Sequence, residues 1–585
     1  MKKSSIISKA LLTISLMLTA SLSAMAHNFE VDGIYYNVIS TTEKTAYVTY
    51  QGAEYYYYEN EYSGDIVIPS TVTVEDITFS VIGIDAYTFY NCTGVTSISI
   101  PKTITKIGDF AFYNTAWFNS QPDGVLYLDD CCVGCKGFAP TGALTIKDGT
   151  RLIINKGFYK FADITELTIP NSVETIGDYA FYECKGLKSA DLGNSVAYLG
   201  DAAFSYCENL SSISIPNSVT KIGYYAFSGC LGLKDVSIGN SVIEIDEQAF
   251  QDCKSLANIT IPNSVTTIGV SAFNGCSNLE SVTIGNSVTD IGSWTFYNCS
   301  KLKSIDIPNS VVRLENNAFD GCTSLKSANI GNSTIDISRS TFKNCTSLET
   351  VSLGNSISNI GDNAFYNCYN LKSIELPNSI NIIGDHAFYN CGGLTSIDIP
   401  NSVVEIRDYA FLFCDGLTEV NIPNSVSSIG FNVFGYCENL TEIVIPNSVG
   451  KIGGRAFSDC YNLRKVTLGS SLTDIGSEAF YGCTLTSIVS LNMTPPWCNG
   501  NGVFEGSYDA LLEVPEGAYD SYTSAREWSK FTNIQEIAGV EDIEADNNAV
   551  EVIRYDIYGR KLTEPTTGIN IIKMSDGTTR KVIVR

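Results

Sequence analysis

From Leu210 to Cys230 the chain reads LSSISIPNSVTKIGYYAFSGC, and after two intervening residues the pattern starts again at Leu233. Counted outward from this stretch, a cysteine stands at every twenty-third residue from Cys184 to Cys483. A phenylalanine runs three residues ahead of each, from Phe181 to Phe480, and a serine column from Ser172 to Ser471 keeps the same step. Three residue types held in phase this long require stacked, near-identical coils, each packing on the next. The period therefore predicts a repeat solenoid rather than a series of globular domains.

With Leu210 as position one, aliphatic side chains stand at four and six (Ile213, Ile215) and polar ones at three and five (Ser212, Ser214). Alternation over so short a segment predicts one strand per coil, buried on one face and stacked into a parallel sheet. Pro or Gly followed by Asn-Ser, as in Pro216-Asn217-Ser218, then predicts a turn. Proline fixes φ and lacks a ladder donor, and the short polar side chains bond nearby backbone. The later inward positions (ten, thirteen, eighteen, twenty-one) come in unequal steps. They leave a turn, a 3₁₀ piece and a second strand all open for the far side of the coil. Glycine at fourteen would allow a left-handed backbone, yet Asp246, Glu315, Ser338 and Arg407 occupy that position in four repeats. A left-handed conformation is therefore not demanded there in every coil.

Outside the array the pattern changes. Residues 1–26 read as a secretory signal: Lys2 and Lys3, an apolar stretch from Ile6 to Leu22, then Ala24-Met25-Ala26 as the cleavage site, with His27 as the new first residue. Residues 27–62 alternate Phe29, Val31, Ile34, Tyr36 and Val38 and carry the run Tyr55 to Tyr58, as expected of a strand-rich cap over the first coil. The solenoid spans 63–484, with an insertion at 116–156 that breaks the phase. An aromatic-rich C-terminal cap follows at 485–537, then an acidic linker at 538–549. Residues 550–585 hold seven Lys or Arg against four Asp or Glu, a net of +3. Their alternating Ile557, Ile569, Ile571, Val582 and Val584 predict a small all-β unit.

A formal charge of −26 argues against a nucleic-acid partner, which calls for clustered Lys and Arg. After the signal no apolar run approaches the ~20 residues of a membrane-spanning helix. A monomer without cofactor is expected.

Nineteen cysteines in an exported chain raise the question of disulfides, but fifteen of them, Cys92 included, share one column. A repeated environment predicts buried, unpaired thiols acting as small hydrophobes. Cys131-Cys132-Val133-Gly134-Cys135 stands apart. Its C-x-x-C spacing leads to a local disulfide, ahead of free thiols and of metal or redox chemistry.

Only two histidines exist, His27 and His386, too few for a His-dependent triad or a His-rich metal site. His386 falls where other repeats carry Tyr225 or Tyr409 and reads as a surface substitution. The repeated Asn-Ser pairs (Asn194-Ser195, Asn217-Ser218) read as a structural ladder in which each coil satisfies its neighbour, not as a glycan site.

Specificity in a regular scaffold is written where the columns vary and the side chains point outward. At positions three and five most residues are small and hydroxylic, which describes a solvated face. Acidic residues interrupt it at Asp191, Asp306, Glu375, Asp398, Glu419 and Glu442, and they gather toward the C-terminal coils. These six are the candidate binding residues, suited to a basic protein partner. Tyr182, Tyr297, Tyr366, Tyr389 and Tyr481 form a rival aromatic set on another face, for which burial is an equal explanation.

The unit L-x-S-I-x-I-P-N-S-V-x-x-I-G-x-x-A-F-x-x-C, as in Leu210 to Cys230, resembles the BspA-like class of leucine-rich repeats of bacterial surface proteins, over about 62–535. The tail, with Tyr555-Asp556-Ile557-Tyr558-Gly559-Arg560-Lys561-Leu562 and the closing Lys581-Val582-Ile583-Val584-Arg585, resembles the sorting domains of the Bacteroidetes type IX secretion route. It departs from them in ending on Arg585 where lysine is common. These resemblances imply a non-enzymatic adhesin on the outer-membrane surface or outside the cell. Its expected partner is a protein or glycoprotein of host matrix or neighbouring cells, and the alternative is a structural or interbacterial display protein without a high-affinity host ligand.

Overall fold

A computed structural model describes residues 27–52 and 61–537, and beyond them 551–556, 561–562, 564, 568–574 and 579–584. The signal stretch, the Tyr55 to Tyr58 run and the 538–549 linker lie outside the described residues. The chain divides after Cys299 into two compact units.

In the first unit, Ser212–Ile215 pairs in parallel with Ser189–Asp191 before it and Asp235–Ile238 after it, Ser212 opposite Asp235 and Ile213 opposite Val236. Each register step is one repeat, so like residues lie side by side. The far side of the coil is a second parallel ladder of two-residue strands, Tyr198–Leu199 beside Lys221–Ile222 and Lys221–Ile222 beside Glu244–Ile245. A run of turns then closes the coil, and its backbone also bonds from coil to coil. The amides of Tyr179, Phe181 and Glu183 each donate to a carbonyl of the next coil, those of Asp201, Ala203 and Ser205, at 2.8 Å. That geometry needs left-handed residues at positions sixteen and twenty, which recur as Tyr179 and Glu183, then Ala202 and Tyr206, at φ between 50° and 56°.

Glycine at fourteen answers a different need. Gly200 and Gly223 have ordinary negative φ. A Cβ on Gly200 would lie 2.5 Å from the Gly177 carbonyl carbon and 2.6 Å from the Asp178 nitrogen. The column is thus kept small by the close approach of the preceding coil. Where Asp246 replaces glycine, its amide bond to Ile222 stretches to 3.1 Å, against 2.9 Å for Gly200 to Ile176.

Between the ladders runs the core. Phe158, Phe181, Phe204, Phe227, Phe250, Phe273 and Phe296 stack nearly parallel, centroids 5.1–5.7 Å apart, and all are fully buried. An earlier stack of Phe89 on Phe112 meets Trp117 edge-on at 6.1 Å. Trp117 sits on the short helix Ala116–Ser120, which Thr115 caps by accepting the Phe118 amide. The antiparallel hairpin Gly124–Leu128 with Cys131–Lys136 follows, and its second strand joins the short ladder beside Leu152–Ile153. Strands Phe29–Val31, Ile34–Ser40 and Thr45–Thr49 pair antiparallel ahead of the coils.

The second unit repeats the plan. Ser304–Ile307 pairs with Ser327–Ile330, and Glu442–Ile445 with Lys465–Leu468. Leu511–Pro515 and Asn533–Ile537 extend that sheet. The phenylalanine stack runs from Phe319 to Phe504, where Trp528 tilts across it at 5.0 Å and 52°. The Trp528 indole donates to the Pro496 carbonyl at 2.9 Å, so a fully buried ring ends the stack without an orphaned donor. Glu551–Asp556, Lys561–Leu562, Gly568–Met574 and Thr579–Val584 form an antiparallel four-stranded sheet.

Candidate recognition surface

All nineteen cysteines are free thiols, and eighteen are buried. The column does more than fill space. Cys207 donates its thiol to the Phe181 carbonyl of the preceding coil at 3.2 Å, and Cys230, Cys276, Cys391 and Cys460 repeat that contact at 3.1–3.2 Å. The same Phe181 carbonyl accepts the Cys184 amide of its own coil at 3.2 Å, so each phenylalanine carbonyl is shared. Burial pushes the Cys230 and Cys276 thiols up to about 12, which keeps them protonated, able to donate and poorly nucleophilic.

The local disulfide expected in the C-x-x-C does not form: Cys131, Cys132 and Cys135 are free. Cys131 and Cys132 are adjacent in a strand and so face opposite sides, and a bulge between Cys132 and Gly134 shifts the register before Cys135. Cys135 donates to the Phe138 carbonyl at 3.3 Å, and Cys131 to the Asp130 carboxylate at 3.5 Å.

The asparagine column is a ladder. Asn171, Asn217, Asn263, Asn309 and Asn332 each accept the backbone amide twenty-three residues on, at 2.7–3.1 Å. The serine column shares this role only in part. Ser218 and Ser448 donate to the carbonyls of Val196 and Val426, while the hydroxyls of Ser264, Ser310 and Ser402 are buried without a partner.

With these columns assigned to packing, the outward strand positions remain. In the first unit Ser212, Ser214, Asp235, Ser237, Asn258 and Thr260 are exposed over a floor of Ile213, Val236 and Ile259, around a shallow depression of about 460 Å³. Sequence reasoning passed over this depression because, Asp235 apart, its polar side chains are hydroxyls and an amide that carry neither charge nor ring to mark them. Asp191 is exposed in this unit, and its carboxylate accepts the Gly193 amide at 3.1 Å, which gives it a turn-forming role.

In the second unit Asp306, Glu375, Asp398, Glu419 and Glu442 are all exposed. Glu375 and Asp398 occupy position five of successive coils, and Glu419 and Glu442 occupy position three of the next two. Asp398 lies opposite Asn421, whose amide reaches it at 3.4 Å, and Glu442 lies opposite Lys465. Asp306 stands three repeats ahead of Glu375, so the structure groups four of the candidates and leaves Asp191 and Asp306 apart. Beside them Lys372 pairs with Glu349 at 2.8 Å and holds the Glu349 carboxyl below its usual range.

His386 is more than a surface substitution. Its ring stacks on Tyr409 at 4.5 Å and 17°, within a half-buried aromatic set that includes Tyr366 and Tyr389, themselves stacked at 4.5 Å and 2°. Burial lowers the His386 pKa, while Asp385, Asp362 and Asp408 oppose that shift. Tyr366 and Tyr389 are thus half-exposed and ordered by stacking, as is Tyr182 on Tyr159 at 5.1 Å, while Tyr481 stands exposed. Among the described residues no group of three or more His, Cys, Asp or Glu is arranged to hold a metal ion. No described helix is long and apolar enough to cross a membrane.

Among curated proteins none matches the chain. Among solved structures, a leucine-rich repeat protein from Bacteroides ovatus is 30% identical over 72% of this chain and 95% of its own, with a TM-score of 0.47. A leucine rich cell surface protein from Faecalibacterium prausnitzii is 26% identical over 75% of this chain and 93% of its own, with a TM-score of 0.30. The pneumococcal vaccine antigen PcpA is 17% identical over 87% of this chain and 98% of its own, with a TM-score of 0.32. The model of the BspA type leucine rich repeat region matches residues 53–122, 140–257, 244–372 and 358–487. With most of its length inside that match and the coil geometry running through both units, the chain belongs to the BspA-type leucine-rich-repeat family.

Proposed function

We propose that this chain is an exported protein displayed on the bacterial outer surface, where it acts as an adhesin toward matrix proteins or neighbouring cells. Residues 1–26 serve as the export signal and 550–585 as a sorting domain. Glu375, Asp398, Glu419 and Glu442 form the contact for a basic protein partner. One observation carries the reading: four carboxylates stand exposed at outward positions of consecutive coils, and none makes a salt bridge among the described residues. The 26% identity to a leucine rich cell surface protein supports the location. An extended sheet face of exposed charge favours steering and specificity over chemistry.

The test is a binding panel of matrix proteins, mucins and bacterial surfaces against the purified chain at two salt concentrations. Saturable binding that weakens with salt, and that the pair Glu375→Lys with Glu419→Lys abolishes, is expected. Binding indifferent to that pair removes the sheet-face site, and no saturable partner favours the structural display role.

A further inference from the structure

The turn side of the second unit carries a surface that the sheet-face reading does not use. Positions sixteen and twenty of each coil require left-handed backbone, where glycine and asparagine are least strained. Asn363, Asn367, Asn390 and Asn432 fill these positions as expected. At the same positions of these coils His386 (φ 55°), Tyr409 (φ 60°), Phe413 (φ 61°) and Tyr436 (φ 56°) stand in the same conformation. Bulky side chains are unfavourable there, and neighbouring coils show that the fold accepts asparagine instead. Tyr179, Tyr206 and Tyr225 of the first unit stand in the same conformation, so these positions admit rings, and what sets the second-unit rings apart is their surroundings.

These rings are contiguous. Tyr366 stacks on Tyr389, Tyr389 meets Phe413 edge-on at 5.5 Å, Phe413 meets Tyr436 at 4.8 Å, and His386 stacks on Tyr409. Along one edge, at position fifteen, run Asp362, Asp385 and Asp408, with Glu405 beside them. Arg407 is the cation set against these four, reaching Glu405 at 3.2 Å and Asp362 at 3.8 Å. Burial, with repulsion from Asp362 and Asp408 added to it, raises the Asp385 pKa.

The chain itself shows what such a surface holds. In the first unit Lys156 lies over the rings of Tyr159 and Tyr179, 5.7 Å from each centroid, and pairs with Asp109. Lys160 lies over Tyr159 at 5.1 Å and reaches Glu183 at 3.5 Å. At the head of the second-unit set Lys343 covers Tyr366 at 5.4 Å. Beyond it, from His386 to Tyr436, no lysine or arginine lies over a ring among the described residues. Rings and carboxylates there match the first-unit arrangement without its ammonium groups.

We propose that the His386, Tyr389, Tyr409 and Phe413 surface, with its Asp385 and Asp408 edge, docks a lysine- or arginine-rich polypeptide segment by cation–π and charge contacts. It is independent of the sheet-face site. Aromatic faces attract ammonium and guanidinium groups, and nearby carboxylates add to that attraction.

The test measures binding of a labelled oligolysine peptide to the full chain by fluorescence anisotropy. Asp385→Asn with Asp408→Asn keeps the side-chain oxygens that accept neighbouring amides, as Asn155 does for Asp178 at 2.9 Å, so the coil is preserved. That pair is expected to weaken binding about tenfold or more, and Tyr409→Leu several-fold, while Glu375→Lys with Glu419→Lys leaves it within about twofold. Unchanged exchange protection of the coil amides certifies the fold of each variant. Loss of binding in the sheet-face pair as large as in the Asp385 and Asp408 pair, or no binding to the native chain, overturns the proposal.

Discussion

Cys276→Ala and Cys276→Ser together ask what the cysteine column does. The Cys276 side chain is fully buried and donates to the Phe250 carbonyl at 3.2 Å, while that carbonyl also accepts the Cys253 amide at 3.3 Å. Alanine removes the sulfur, so the coil loses about 1 kcal/mol of transfer energy and roughly 0.5–1 kcal/mol for the small void. The carbonyl keeps its amide donor, so no buried acceptor is orphaned, and the loss stays near 2 kcal/mol. Serine restores a donor, but its shorter bond draws the oxygen back toward the limit of hydrogen-bond range. A buried, poorly bonded hydroxyl adds roughly 1–2 kcal/mol, so serine is expected to be worse than alanine. Long repeat arrays need not unfold in one step, so a global melt is the wrong assay. Hydrogen exchange of the amides around Phe250 and Cys276 reads the local opening instead, with alanine raising exchange about 30-fold and serine more. Serine matching the wild type would show the site to be hydrated, and alanine without effect would show that the column does not pack.

Two further substitutions follow from the coil geometry. Gly200→Ala gains ~0.4–1 kcal/mol from a stiffer unfolded chain but pays ~1–3 kcal/mol for pressing on the preceding backbone, so a net local loss is expected in the same exchange assay. Gly200→Asn should do no better than alanine; rescue by asparagine would mean that the position is left-handed after all. Trp528→Ala uncovers Phe504 and strips a buried ring with a satisfied indole, so a loss of ~3–5 kcal/mol is expected, read as exchange spreading inward from the last coil. Protection unchanged at Phe504 would deny it the capping role.

The strand and the turn of the coil were legible because two-residue alternation and Pro-Asn-Ser have direct backbone consequences. The far side was not. A two-residue strand such as Lys221–Ile222 is too short to show a period, and the left-handed positions accept Tyr179, Ala202, Gln248 and Arg455 alike, so no residue type marks them. Glycine at fourteen drew attention as a conformational signal, when only the stacked coils reveal the carbonyl carbon that crowds it. The six acidic candidates were readable from alternation as outward, yet their grouping depends on register. Glu442 opposite Lys465 and the hydroxyl depression around Ser237 appear only once neighbouring strands are aligned.

The most direct test of the claim that the twenty-three-residue columns are packing is intact-mass alkylation without reductant. The native chain is expected to take one label, at half-exposed Cys135, and the denatured chain nineteen. Fewer than fifteen after denaturation would place disulfides in the column, since only four cysteines lie outside it, and extensive labelling of the native chain would mean that the thiols are not buried between the coils.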